Sequence, residues 1–251
     1  MTKSPALQSL VVDTKLARIK KLRSTVYNAC MHFSGLPGPR SRTWMVTLTY
    51  APGQSWEPQH IRDYLKRLRV WLHRRNLPLR YVWVAELQKR GVVHYHILIW
   101  LPLFHEKKRF RIPHSDTRGW WPYGSSNTII AKKAGGYLMK YVSKCDGDQV
   151  FPKGARIYGA GGLDKLGKQR IRWFKAPKYV RAEFATFESA DLRKIKDGYV
   201  DRFTGLFLRS PWRLVRRSGT RLLFIRCDDP AGLKRSPELL DILADFLENS
   251  Q

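Results

Sequence analysis

The chain has 251 residues, with 47 Lys and Arg against 20 Asp and Glu and a formal net charge of +27. That length can bury a full core in one large domain or one domain with an appendage, and nine Trp with 43% hydrophobic residues exclude a wholly disordered protein. So large a positive surplus repels itself unless a polyanion neutralises it, which makes nucleic acid the leading partner. No long apolar run or signal-peptide pattern points to a membrane. Cys30, Cys145 and Cys227 are widely separated and form no CxxC pair, so reduced thiols of a cytosolic protein are expected and a zinc site is not.

In chain order, the residues up to about 35 are expected to be a basic helix, with Leu10, Leu16, Ile19 and Leu22 among lysines and arginines. Gly35 to Pro39 ends it. Trp44 to Tyr50 alternates as a strand does, and Pro58 precedes a helix with Ile61, Leu65, Leu68 and Leu72 on one stripe. Strands are expected at Tyr81–Gln88 and Val93–Leu101. Residues 103 to 126 are expected to be an irregular connection, Asn127–Lys144 a helix weakened at Gly135-Gly136, and Gln169–Lys175 another strand. Past about residue 186 the pattern loosens, with a possible hairpin at Gly198–Leu208 and a final helix from Ser236-Pro237-Glu238 to Glu248. No internal repeat is present.

The run His94-Tyr95-His96 carries the most chemistry. On a strand, residues two apart project to one face, so the imidazoles stand side by side. A three-residue loop, Lys89-Arg90-Gly91, with glycine in the left-handed position, pairs Gln88 with Val92 and therefore Glu86 with His94. The opposite face then holds Tyr81, Trp83, Ala85 and Leu87 against Tyr95, Ile97 and Ile99, all apolar or aromatic, and a slip of one residue destroys that match. Glu86, His94 and His96 on one face suit a divalent cation, Mg²⁺ or Mn²⁺, with positions left for phosphate oxygens. The plainer alternative is a pair of solvent-bonded strand histidines.

Tyr137 and Tyr141 lie four apart and share a helix face, with Ala131, Gly135, Leu138 and Val142 opposite. A tyrosine hydroxyl has a pKa of about 10 and is a weak nucleophile near neutrality. A metal-polarised phosphate and the lysines three residues on, Lys140 and Lys144, would assist it. Core or interface aromatics are the plainer alternative here.

Together these segments resemble the HUH endonuclease superfamily, and within it the rolling-circle replication initiators of small phages and plasmids in their two-tyrosine form. Trp44–Tyr50, ending Thr-Leu-Thr-Tyr, is similar to the first motif of that family; Glu86 with His94-Tyr95-His96 to the metal-binding second; Tyr137 to Lys144 to the third. Arg156-Ile157-Tyr158-Gly159 onward is also similar to phage initiators. The resemblance implies an α+β fold: a ferredoxin-like (RRM-like) antiparallel sheet with the HUH motif on a central strand, flanking helices, and a C-terminal extension. It implies residues 39–185 as the endonuclease domain, after a basic helical segment at 1–38 and before an extension at 186–251. It implies origin nicking by Tyr141 or Tyr137, single-stranded and origin DNA as partners with a host helicase and polymerase, and the cytoplasm of a bacterial host as the setting. A transposase of the same chemistry is the nearest alternative. A non-catalytic basic nucleic-acid-binding protein is the alternative of a different class, and it would form no covalent adduct.

Gly162 to Lys168 matches a phosphate loop until Gln169, where Ser or Thr is required, and no buried strand or following helix is expected around it. Basic patches at Lys107-Lys108-Arg109 with Arg111, at Lys132-Lys133 and at Arg213–Arg217 are interspersed with Trp120, Trp121, Trp173 and Trp212. Such mixtures suit phosphate contacts and base stacking, and also solvated faces over buried tryptophans.

Overall fold

A computed structural model describes residues 8–37, 41–88, 91–102, 111–132, 134–144, 151–227 and 237–249. Lys89 and Arg90 of the expected loop, the patch Lys107-Lys108-Arg109, Lys133, Cys145 and Ser236 lie outside them. The described elements are β1 (Ser9–Asp13), α1 (Thr14–Ser34), β2 (Ser41–Tyr50), α2 (His60–His73), β3 (Arg80–Leu87), β4 (Val93–Pro102), β5 (Gly124–Ile130), α3 (Ala134–Lys144), β6 (Tyr158–Gly161), α4 (Lys165–Lys175), α5 (Lys178–Arg181), β7 (Leu192–Ile195), β8 (Gly198–Asp201), β9 (Phe207–Arg209), β10 (Trp212–Ser218), β11 (Arg221–Arg226) and α6 (Pro237–Glu248). The fold is α+β, and every strand pair is antiparallel.

The central sheet has the order β5-β2-β4-β3-β6, so the strand bearing His94-Tyr95-His96 is its middle one. β4 is buried along both faces because helices cover each side. On one side α2 brings Ile61, Leu65, Leu68 and Leu72 onto Trp44, Val46, Leu48, Trp83, Tyr95, Ile97 and Ile99. On the other, Ile19, Leu22, Val26, Ala29 and Phe33 of α1, with Leu138 and Val142 of α3, meet Met45, Val82, Val84, Leu98 and Trp100. Apolar spacing of three and four residues makes both helices pack this way. The N-terminal helix is therefore part of the core over the sheet. Its first turn is closed by Asp13, whose carboxylate accepts the Lys15 and Leu16 amides at 2.7 and 3.2 Å.

The β3–β4 hairpin has the expected register, with Glu86 opposite His94. The Gln88 amide donates to the Val92 carbonyl, and Gly91 sits at φ +76°. At the other edge of β3, Trp83 and Tyr81 pair with Gly159 and Gly161. The aromatic rings lie where a Cβ on either glycine would sit, which accounts for the glycine-rich sequence there.

Two expectations fail. Asn127–Lys144 is not one helix: Gly124–Ile130 is a strand paired with β2, and the helix starts only at Ala134. Thr128, Ile129 and Ile130 are β-branched and favour the strand. Gln169–Lys175 is not a strand but the end of α4, capped by Asp164, which accepts the Gly167 amide at 2.7 Å. The strand-like alternation there has a different origin. Gly167, Gln169, Ile171 and Trp173 are buried in turn because α4 is covered on two sides. Ile171 joins the core beneath α1, and Trp173 joins a separate cluster with Val180, Ala190 and Leu192. Steps of two residues rotate a helix by about 200°, so opposite sides alternate. The phosphate-loop lookalike is thus preceded by a half-buried strand and followed by a helix after all, but the Asp164 carboxylate occupies that helix N-terminus and pairs with His32 at 2.9 Å.

Beyond α4 lie two small sheets, β7-β8-β9 and β1-β11-β10. The first contains the expected hairpin at 198–208. The second joins Ser9 to Ile225 and so ties the beginning of the described chain to its C-terminal region. Cys30 is a buried free thiol, pushed up to about 12 by burial, and Cys227 is also free.

Candidate active site

Register builds one polar row into the face covered by α1 and α3. On β4, His96 stands between Thr47 of β2 and Val84 of β3, while His94 stands between Thr49 and Glu86. Directly opposed residues share a face, so these side chains converge in the space left under α3. Leu138 and Val142 anchor that helix in the core. Tyr141, beside Val142, is thereby held at the sheet, whereas Tyr137 is 37% exposed.

The contacts form a chain. His96 Nε2 lies 2.8 Å from Glu86 Oε2, and Lys144 Nζ donates to Glu86 Oε1 at 2.6 Å. The Thr47 hydroxyl is 3.3 Å from His96 Nδ1. In the neutral tautomer that these contacts suit, His96 donates from Nε2 and accepts at Nδ1. The Tyr141 ring stacks on the His96 ring, with centroids 3.5 Å apart and planes 11° from parallel. Lys144 Nζ is 5.4 Å from the centre of the same tyrosine ring. His94 is buried on the same face, its ring 6.4 Å from that of His96.

Charges follow from these contacts. Burial lowers the His96 pKa, and hydrogen bonding to Glu86 offsets only part of that effect, so the imidazole is neutral near pH 7. Burial pushes the Glu86 carboxyl up, but the hydrogen bonds from Lys144 and His96 outweigh it and hold the group below its ordinary value, ionised. Tyr141 is raised by burial and by the negative charge of Glu86, with Lys144 opposing. Lys144 is raised by its bond to Glu86 and stays charged.

Of the residues expected at the site, Glu86, His96, Tyr141 and Lys144 are in mutual contact. His94 is adjacent, and Tyr137 lies one turn away on the same helix. Lys140 is exposed, and among the described residues no hydrogen bond joins its ammonium to the cluster; its carbonyl accepts the Ser143 hydroxyl. Among the described residues, no three His, Cys, Asp or Glu side chains are gathered closely enough to form a metal-binding group as they stand. The donor types nonetheless suit a divalent cation: one ionised carboxylate and two imidazoles, one of them held neutral. Sequence reasoning assigns no role to Thr47, although its polar place in the alternation Val46, Thr47, Leu48, Thr49 is a signal. Trp121 and Trp173 are core residues; Trp120 and Trp212 remain partly exposed.

No curated protein matches the chain. Among the described residues, no helix is long and apolar enough to cross a membrane. A family model described as Replication-associated protein ORF2 matches residues 43–146, from β2 through α3. That segment contains Glu86, His94, His96, Tyr137, Tyr141 and Lys144, and its match supports a protein of the replication-initiator type whose partner is DNA.

Proposed function

We propose that this protein is a site-specific single-strand DNA endonuclease and strand transferase that initiates rolling-circle replication. The stack of Tyr141 on His96, with Lys144 bridging to Glu86, carries the reading, because it places a nucleophile beside candidate metal ligands and a cation. The Tyr141 oxygen attacks the scissile phosphorus and the bond to the 3′ oxygen breaks. The phenol gives up its proton and the leaving oxygen takes one up. The products are a 5′-phosphotyrosine and a free 3′-hydroxyl, which a host polymerase extends while a host helicase unwinds the duplex. Attack by a later 3′-hydroxyl on the phosphotyrosine restores the phenol and closes a single-stranded circle.

Each side chain has work to do in that step. Lys144 favours the phenolate that burial and Glu86 disfavour, and its charge also suits the incoming phosphate. Thr47 orients His96. Glu86, His94 and His96 would hold Mg²⁺ or Mn²⁺, which when bound polarises the phosphate. Tyr137, more exposed on the same helix, serves as the second nucleophile during strand transfer.

The test is incubation with a labelled single-stranded origin oligonucleotide and Mn²⁺, followed by denaturing electrophoresis. A covalent adduct is expected, lost in excess chelator. Robust nicking in chelator would overturn the metal assignment. Binding without any adduct would leave a DNA-binding protein in place of an enzyme.

A further inference from the structure

Away from the tyrosine site, a second concentration of cations lines a cleft of about 560 Å³ between α1, α4 and the β7–β8 hairpin. Lys21, Arg172, Lys175, Arg193, Lys194 and Arg202 point cationic groups toward it, over a floor that includes Tyr199. One carboxylate serves this set: Asp191, itself buried, is bonded by Arg172 and by Arg202, the latter at 2.7 Å. It fixes two guanidiniums in place and neutralises only one of them. Among the described residues, no acid is bonded to Lys21, Lys175, Arg193 or Lys194.

We propose that this cleft is a phosphodiester-binding site that holds a DNA strand away from the reacting phosphate. Opposed lysines without a counter-ion, beside guanidiniums held by a buried acid, are arranged to take a phosphate oxygen. Crowding by surrounding protein and by Lys21 lowers the Lys175 pKa, the cost of placing like charges together that a bound anion would relieve. The cleft is also attached to the active-site sheet. Lys175 Nζ is 5.8 Å from the ring centre of Tyr158, and Tyr158 pairs with Val84, which pairs with His96. Two strand spacings, about 10 Å, therefore separate the Tyr158 backbone from that of His96. Tyr199, half-buried, offers a ring for base stacking.

The site rests on DNA being the partner and is independent of the nicking chemistry, so its test is binding. Fluorescence anisotropy with labelled poly(dT), in a salt series, would compare the wild type with K21Q/K175Q and K21R/K175R. The glutamine pair is expected to bind about tenfold more weakly, with a salt dependence shallower by about one or more; the arginine pair should restore both. On the wild-type protein, poly(dT) is expected to protect Lys21 and Lys175 from acetylation, which decides the matter even should the glutamine pair fail to fold. Unchanged affinity and salt slope in folded K21Q/K175Q, or undiminished acetylation of both lysines, would overturn the proposal. A chain that binds through this cleft but yields no adduct removes the nicking reading and leaves the cleft standing.

Discussion

The two faces of the central sheet come from the same strands but are put to different uses. Under α2, Trp44, Trp83, Tyr95, Ile97 and Ile99 close an apolar layer. Under α3, Thr47, Glu86, His94 and His96 interrupt the apolar layer with groups that bond one another. Alternation alone makes both. The face under α3 differs because its covering helix brings Tyr141 and Lys144 as well as Leu138 and Val142, so polar strand residues find partners and need not be solvated. A catalytic face here is a core face with a satisfied polar insert, held rigid by the opposite layer.

The largest expected effect separates the faces directly. Trp83→Ala should destabilise the fold by about 3–5 kcal/mol, the usual result of emptying a buried aromatic site, whereas His96→Ala should fold and bind DNA but lose nicking. Chemical denaturation paired with the electrophoretic adduct assay checks both; a nicking-competent His96→Ala would break the comparison.

A finer cut runs along α3. Tyr141→Phe keeps the ring that stacks on His96 and should stay within about 0.5 kcal/mol of wild-type stability while losing most first-strand cleavage. Tyr137→Phe should retain that cleavage and impair strand transfer. Opposite outcomes in single-turnover assays would exchange the roles of the two tyrosines.

How much of this is legible in the sequence depends on how many sides of an element are covered. The β3–β4 register follows from Gly91 and the alternation around Glu86 and His94, and α2 follows from its single apolar stripe. α4 reads as a strand because a helix covered on both sides mimics the period of one. β5 hides in the sequence because Ile129 and Ile130 also fit a helical stripe running into Tyr137. The convergence of Lys144 on Glu86 depends on where α3 crosses the sheet, which no local pattern encodes.

A smaller effect tests whether a satisfied polar insert stabilises elsewhere. Asp201 is buried and accepts the Asp191 amide at 2.7 Å and the Thr204 hydroxyl at 2.7 Å. Burial raises its pKa, but these bonds outweigh it and the net shift is downward. A depressed carboxyl contributes stability that is complete above its ordinary value near 3.8 and is lost as pH falls through the lower folded value. Melting followed from neutral pH to below that value should show a steeper acid loss for the wild type than for Asp201→Asn; parallel curves would remove the role assigned to these bonds.

The smallest effect concerns the C-terminal helix. α6 seats Phe246 in the protein beneath Arg221 of β11, 5.4 Å from ring centre to guanidinium, and leaves Leu240 70% exposed. Residues 236–251 contain no Lys or Arg, so DNA repels this segment. Deletion from Ser236 should leave oligonucleotide cleavage by the folded protein unchanged, and a soluble, folded truncation that no longer nicks would contradict this.

The pairing of Ser9 with Ile225 bears on how the molecule is made. On the ribosome β1 emerges almost first, and its partner β11 only after both lysine-bearing walls of the cleft and the whole active-site sheet have been synthesised. Closing so long a loop adds little to the equilibrium cost, because that cost rises only with the logarithm of length. It does make the joining of the ends a late event, since pairing between distant segments is slow. The active-site sheet is thus free to assemble before the strand that precedes it in the chain has found its place.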